Sequence, residues 1–429
     1  MVQFFIILHY LLIKILCVIK IPFKRKFLEK LTSENIMEQL QTNYLTINLK
    51  IGEPYQEIPF ILKMTQNPVF IIGNNYPENI IKFNENISNT FKLTNKSQSL
   101  ILSDLIKGFL SYDTFDLGNN IIIKDFNFIL AKELSKEAKK INAEIGLCFR
   151  NYNVEIFDTN FLEQLKKNKL INSYVFTFKY NNDDEGEFII GNLLHEYDKN
   201  FKEEDFNFVN IGIPDEVLDW EIKFDKVTLN QIVIDDFFKG ITFKIEYGFI
   251  LGISEYYKII KELFFNEYKN ECKEKNINNK EIYFVCNNNI NLEKFPILEF
   301  NIRDLKSNIT FDKNDLFYEF ENKKYFLVVF RTDFWNIKWT FGKPYFKKYL
   351  SFYDKERKIY GIYHNKSSSF DIKNIIFLFI IIQIFILVIY IIFKYYISLH
   401  NKRKIRANEL EDDYDYLPKK ITNPLINDN

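Results

Sequence analysis

Between residues 43 and 363 the apolar residues arrive in strand-length runs, each closed by a polar or turn-forming stretch. "YLTINLKI" alternates. "IPFILKM" and "VFIIG" are short and unbroken. "FLSYDTFDLG" and "IIIKDFNFILA" flank "GNN" as two strands flank a turn. "SYVFTFKY", "GEFIIGN" and "DWEIKFDKVTLN" continue the series. Helical spacing within that body is confined to 158–169, with Asp158 or Thr159 as N-cap, and 254–270, capped by Ser254. Ahead of the body, Phe27, Leu28, Leu31, Ile36 and Leu40 give 24–41 a helix-like pattern. Regular alternation of strand and helix is missing, so a parallel βαβ sheet is excluded and an all-β body is expected.

The two chain ends have a different character. Residues 4–19 form a short apolar run followed by the basic "KIPFKRK", which predicts a secretory leader over 1–20. Ile375 to Phe393 carries no charge, and its only strongly polar residue is Gln383. As a helix this run would be about 28 Å long, close to the thickness of a bilayer core. Lys394, Lys402, Arg403, Lys404 and Arg406 follow, which assigns the tail to the cytosol and the body to the lumenal or extracellular side. That compartment is oxidising, and Cys272 and Cys286, in a polar turn-rich stretch, are expected to bridge. Cys17 falls in the leader, and Cys148, in the apolar "IGLCF", reads as a buried thiol. Glycosylation sequons stand at Asn86, Asn95, Asn308 and Asn365, with Asn95 and Asn308 in the most polar surroundings. Tyr414 and Leu417 form a tyrosine-x-x-apolar sorting pattern in the tail. The net formal charge is zero, which excludes the basic field that nucleic-acid binding needs. No metal or cofactor motif is present, so neither is expected.

A faint repeat organises the body. "PFILKMTQNPVFIIG" around Lys63 and "GITFKIEYGFILGI" around Lys244 each read as apolar run, lysine, turn and apolar run. Glu144-Ile145-Gly146 follows the first at a distance, and Trp339-Thr340-Phe341-Gly342 the second. "NYLTINLKIGEPYQEIPFILKMTQNPVFII" resembles the opening of pepsin-like aspartic proteases, Y-x-x-x-I-x-I-G-x-P-x-Q-x-F-x-x-x-x-D-T-G-S-S-x-L-W-V. Ile51, Gly52, Pro54, Gln56 and Phe70 fall in register without a gap, with Tyr44 one place before the pattern's tyrosine. "GFLSYDTFDLG", "AEIGLCF", "SYVFTFKYNNDDEGEFIIG" and "DWEIKFDKVTLN" are similar to later family segments in the family's order. "FGKPYFKKYLSFYDKERKIYGIY" is similar to the closing L-G-D-x-F-L-R-x-Y-Y-x-V-F-D-x-x-x-x-x-I-G-F-A, and Cys272 and Cys286 to the C-terminal-lobe disulfide.

The resemblance implies a bilobal, all-β acid-protease fold with two related β-barrel-like lobes, plus one C-terminal transmembrane helix. The expected partition is leader 1–20, propeptide-like segment 21–42, N-terminal lobe 43–195, C-terminal lobe 196–366, linker 367–374, spanning helix 375–393 and tail 394–429. The family's two catalytic aspartates fall in register on Lys63 and Lys244, and its flap tyrosine on or near Ile101. The family's mechanism uses paired carboxylates that share a proton. One of them must accept a proton from water, and an ammonium cannot. Two lysines at that spacing are expected to repel, lowering a pKa or swinging apart. Thr65 and Glu246 are expected not to replace the bond by which the family's threonine braces the opposite loop. The implied protein is a type I membrane pseudoprotease whose cleft around Lys63, Ile101 and Lys244 takes a peptide, a protein or an anionic group. The alternatives are an active aspartic endopeptidase, an amine-based hydrolase with a neutral Lys63 as base, and a sorting or adhesion receptor that uses the fold for display.

Overall fold

The computed structural model describes residues 18–27, 29–41, 43–65, 68–74, 81–102, 104–134, 143–149, 159–211, 219–235, 240–277, 281–331, 338–363, 383 and 385–403, with backbone alone for 98–102, 104–107 and 133–134. Residues 1–364 form one compact unit and 365–429 another.

The first strand is Ile19–Lys26, where the apolar spacing predicts a helix from residue 24 onward. Ile19, Ile21, Phe23 and Arg25 are buried while Lys20, Pro22, Lys24 and Lys26 point outward, so the period is two and the sheet dictates the conformation. The expected helix shrinks to Ile36–Gln41. Ile19–Lys26 fills the slot between Glu185–Ile190 and Tyr44–Ile51. Two of its residues fall in the stretch assigned to the leader, whose residues 1–17, Cys17 included, lie outside the described ones.

The N-terminal lobe is a closed barrel. Tyr44–Ile51, Gln56–Lys63, Ala143–Gly146, Val69–Ile72, Ile122–Leu134 and Asp104–Asp116 pair in that order, and the last pairs back to the first. Phenylalanines fill it: Phe115 stacks on Phe126 at 4.2 Å, and Phe83 meets Phe128 edge-on at 6.0 Å. The C-terminal lobe is built of two sheets. Its described strands form a nine-stranded and a four-stranded sheet, and no ring closes among them.

The faint repeat is a repeat of topology. Gln56–Lys63 runs parallel to Ala143–Gly146, which is antiparallel to Val69–Ile72, which is parallel to Ile122–Leu134. Gly240–Phe243, Trp339–Phe341, Ile250–Gly252 and Val328–Arg331 repeat these relations in the same order. Between the lobes lies a platform of Phe206–Asn210, Ile359–Tyr363, Leu350–Asp354, Val175–Tyr180, Glu185–Ile190 and Ile19–Lys26. Its strands come from both halves of the chain, so the lobes share one sheet.

Both expected helices of the body form, each shorter than expected. Phe161–Lys167 is capped by the Asn160 side chain, which accepts from the Glu163 amide, instead of by Asp158 or Thr159. Ser254–Ile260 continues as a π-helical turn Lys261–Phe265, and Ile253 holds the cap position because Ser254 is already helical. Cys272 and Cys286 are directly opposed across a hairpin and form a disulfide with S–S 2.08 Å. Cys148 is buried outside any disulfide. Asn86 and Asn95 are exposed. Asn308 is partly buried, its amide donating to Glu299 and accepting from Asn301 at 3.0 Å.

In the second unit, 385–403 is helical with its apolar side chains exposed. No helix among the described residues is long and apolar enough to cross a membrane. The expected span begins at 375, and residues 375–382 and 384 lie outside the described ones, as do Asn365 and the tail with Tyr414 and Leu417.

Candidate functional site

Lys63 ends the first strand of the N-terminal topological repeat, in parallel register with Gly146, and its carbonyl accepts from the Leu147 amide at 2.8 Å. Lys244 follows the equivalent strand of the second repeat, and its amide donates to the Phe341 carbonyl at 2.9 Å. The two lysines thus stand at equivalent places in the two lobes, on loops that meet.

The loops are joined by a hydrogen bond from the Thr65 hydroxyl to Glu246 Oε1, 3.1 Å long. This corrects the expectation that Thr65 and Glu246 leave the inter-loop brace empty. The brace is rebuilt from a hydroxyl and a carboxylate. Arg25 adds a second tie: its Nη1 donates to the Asn43 carbonyl at 2.6 Å and its Nη2 to the Ile245 carbonyl at 2.8 Å. Nearby, the helix Ile36–Gln41 delivers the Leu40 carbonyl to the Gly248 amide at 2.8 Å. A Cβ at Gly248 would lie 2.6 Å from that oxygen, so glycine allows the close approach.

Lys63 is not an unpaired cation. Its ammonium forms an ion pair with Glu144, and the two side chains are 9% and 1% exposed. Glu144 lies opposite Ile61 on the neighbouring strand, two residues along from Lys63, so both side chains leave the same face. Burial pulls the Lys63 pKa down, but Glu144, with help from Tyr44 and Glu246, reverses this and holds it above the ordinary lysine value of 10.5. At Lys244, burial is opposed by Tyr247, Glu246 and Asp219, and the net shift is again upward. Both shifts run opposite to the lowering expected of two neighbouring lysines. Glu144 and Glu246 bring negative charge into the site, and Glu246 acts on both ammonium groups. Both shifts oppose the proton loss that an amine base requires.

The lysines differ in one respect. Lys244 lies 5.3 Å from the Tyr247 ring centroid, and among the described residues no carboxylate makes an ion pair with it. Asp219 influences Lys244 only through space, while burial, followed by the opposing pull of Lys244, leaves the Asp219 carboxyl above its usual range. A third lysine, Lys343, stands where the closing family motif has its aspartate. It is paired with Asp184 at 2.7 Å across the lobe boundary.

Ile101 lies on the hairpin of Lys92–Leu102 and Asp104–Asp116, opposite Leu105, and its side chain is outside the described ones. A groove beside the second loop is lined by Leu40, Gly248, Tyr318, Leu327 and Lys343. No group of acids, histidines and cysteines among the described residues could hold a metal ion.

Sequence reasoning alone misses the roles of Glu144, Glu246, Thr65 and Arg25. One signal is present: Glu144 is the only charge in the apolar "AEIGLCF".

The comparisons agree with this geometry. No individual curated protein is matched. The eukaryotic aspartyl protease profile matches residues 45–363, a span that takes in both loops, the disulfide hairpin and every platform strand except Ile19–Lys26. With that match over most of its length, the chain belongs to the eukaryotic aspartyl protease family, the pepsin-like A1 group.

Proposed function

We propose that this protein is a non-proteolytic member of its family, a binding protein that keeps the two-lobed body and has given up peptide hydrolysis. The observation that carries the reading is the buried Lys63–Glu144 ion pair at the place of the first catalytic carboxylate. Hydrolysis on this fold asks one carboxylate to take a proton from water while the other protonates the peptide carbonyl. Lys63 and Lys244 are both held in the protonated form and can take no proton. Glu144 is paired with Lys63, and Glu246 accepts from the Thr65 hydroxyl through one of its oxygens.

We further propose that the body is tethered. The uncharged run 375–393 and the basic residues after it support a single-pass anchor with the body on the lumenal or extracellular side. The 272–286 disulfide is consistent with that compartment.

The test is a peptidase assay on the full-length protein in detergent, from acidic to neutral pH, with a statine-type transition-state analogue as a binding probe. Neither cleavage nor inhibitor binding is expected. Cleavage abolished by the inhibitor would overturn the reading.

A further inference from the structure

Three lysines occupy positions where the family's motifs place an acid: Lys63, Lys244 and Lys343. Lys63 has Glu144 and Lys343 has Asp184, so two of the three reversals are matched by an acid brought to meet them. Lys244 is the exception, because no carboxylate among the described residues contacts its ammonium. Among the described residues its ammonium donates no hydrogen bond, and an arriving carboxylate would supply a charge-assisted one.

Neither nearby acid pairs with Lys244. Glu246 is two residues away, but Thr65 of the opposite loop holds one of its carboxylate oxygens. Tyr247 places its ring by the ammonium and contributes no negative charge in contact. Arg331 lies within electrostatic range of Lys244. Its Nε donates to Glu281 at 3.3 Å, and among the described residues its terminal nitrogens make no hydrogen bond. Asp219 and Glu246 oppose an incoming anion through space. An anion hydrogen-bonded to Lys244 Nζ lies closer to that charge than to either acid, so the contact term dominates.

We propose that Lys244 is the ligand-anchoring residue of the cleft and takes a carboxylate, from an acidic side chain or a free C-terminus of a peptide. This rests on the non-proteolytic reading and names the ligand chemistry of the same site. A neutral peptide group would meet a donor of the ammonium with a weaker bond than a carboxylate makes.

The experiment uses full-length protein in detergent and three peptides: acetyl-Ala-Ala-Glu-Ala-amide, its Gln counterpart, and acetyl-Ala-Ala-Ala with a free C-terminus. Binding is followed by peptide-observed NMR. At least one carboxylate peptide is expected to bind about tenfold or more tightly than the Gln peptide, the size of one charge-assisted hydrogen bond. The arm that wins identifies the source of the carboxylate. Lys244→Gln is expected to erase the preference and Lys244→Arg to keep it. Equal binding of the Glu, Gln and free-C-terminus peptides, no binding by any, or a preference that survives Lys244→Gln would overturn the proposal. Should Lys244→Gln fail to fold, the wild-type preference and the Arg variant still decide. In the same preparation, cleavage of a denatured protein substrate would overturn the non-proteolytic reading by itself, while the peptide preference judges Lys244 independently.

Discussion

Lys63 can sit in the core because Glu144 is there with it. Two charges removed from water are tolerated when they pair in good geometry, and removing one partner strands the other. Glu144→Gln is therefore expected to cost about 3–5 kcal/mol in urea unfolding, whereas Lys63→Met with Glu144→Leu should be near neutral or stabilising. A result in which the single and double variants lose equal stability would mean that the pair is not a unit. The pH dependence has a definite sign. The folded Lys63 pKa is raised, so its contribution is fully present below the ordinary value of 10.5 and is lost only as pH rises from there through the folded value. Unfolding free energies of wild type and the double variant should therefore keep a constant difference from pH 8 to 10, about the ordinary lysine range, and diverge only above it. Lys63→Asp alone is not expected to restore catalysis, since the new carboxylate would face Glu144 as a like charge.

At the scale of elements, the N-terminal segment is structural. Ile19–Lys26 supplies a platform strand, and Ile36, Met37 and Leu40 cover an apolar face formed by Phe249, Leu251, Tyr283 and Val329. Arg25 couples that strand to the second loop through the Ile245 carbonyl. Arg25→Ala leaves the buried Asn43 and Ile245 carbonyls without this donor, and a loss of about 2–4 kcal/mol is expected. Chemical denaturation reads it, and an unchanged midpoint would show the tie to be dispensable. The disulfide acts on a separate hairpin, Cys272–Ile277 with Glu281–Asn287. Closing a loop of about 15 residues is worth roughly 3 kcal/mol, so Cys272→Ser with Cys286→Ser should lower stability by up to that amount. Because the strand ladder already orders the hairpin, the variant should still fold.

At the scale of the whole molecule, the lobes are joined by a shared platform, the Thr65–Glu246 bond and the Lys343–Asp184 pair, so the two loops are held in one geometry. The all-β class, the two lysine loops, the disulfide and the internal repeat are legible in the sequence. Each is written in local pattern: strand-length apolar runs, turn residues, and motifs kept in order. Ile19–Lys26 escapes such a reading because its alternation is short and its neighbours in space lie far along the chain, at 185–190 and 44–51. The helix caps at Asn160 and Ile253 fall a residue or two from the expected ones: the Asn160 side chain accepts from the Glu163 amide, whereas Ile253 caps without a side-chain bond. Two barrel-like lobes are what the family resemblance implies, and ring closure depends on strand pairings that local pattern does not encode. The sequence by itself determined that lysines stand at 63 and 244, where the family's motifs have acids. Only the tertiary structure decided what those lysines became, because a charge in a core is defined by the groups brought to it. Glu144, 81 positions away in the chain, neutralises Lys63. Glu246, turned toward Thr65, leaves Lys244 without an ion-pair partner among the described residues.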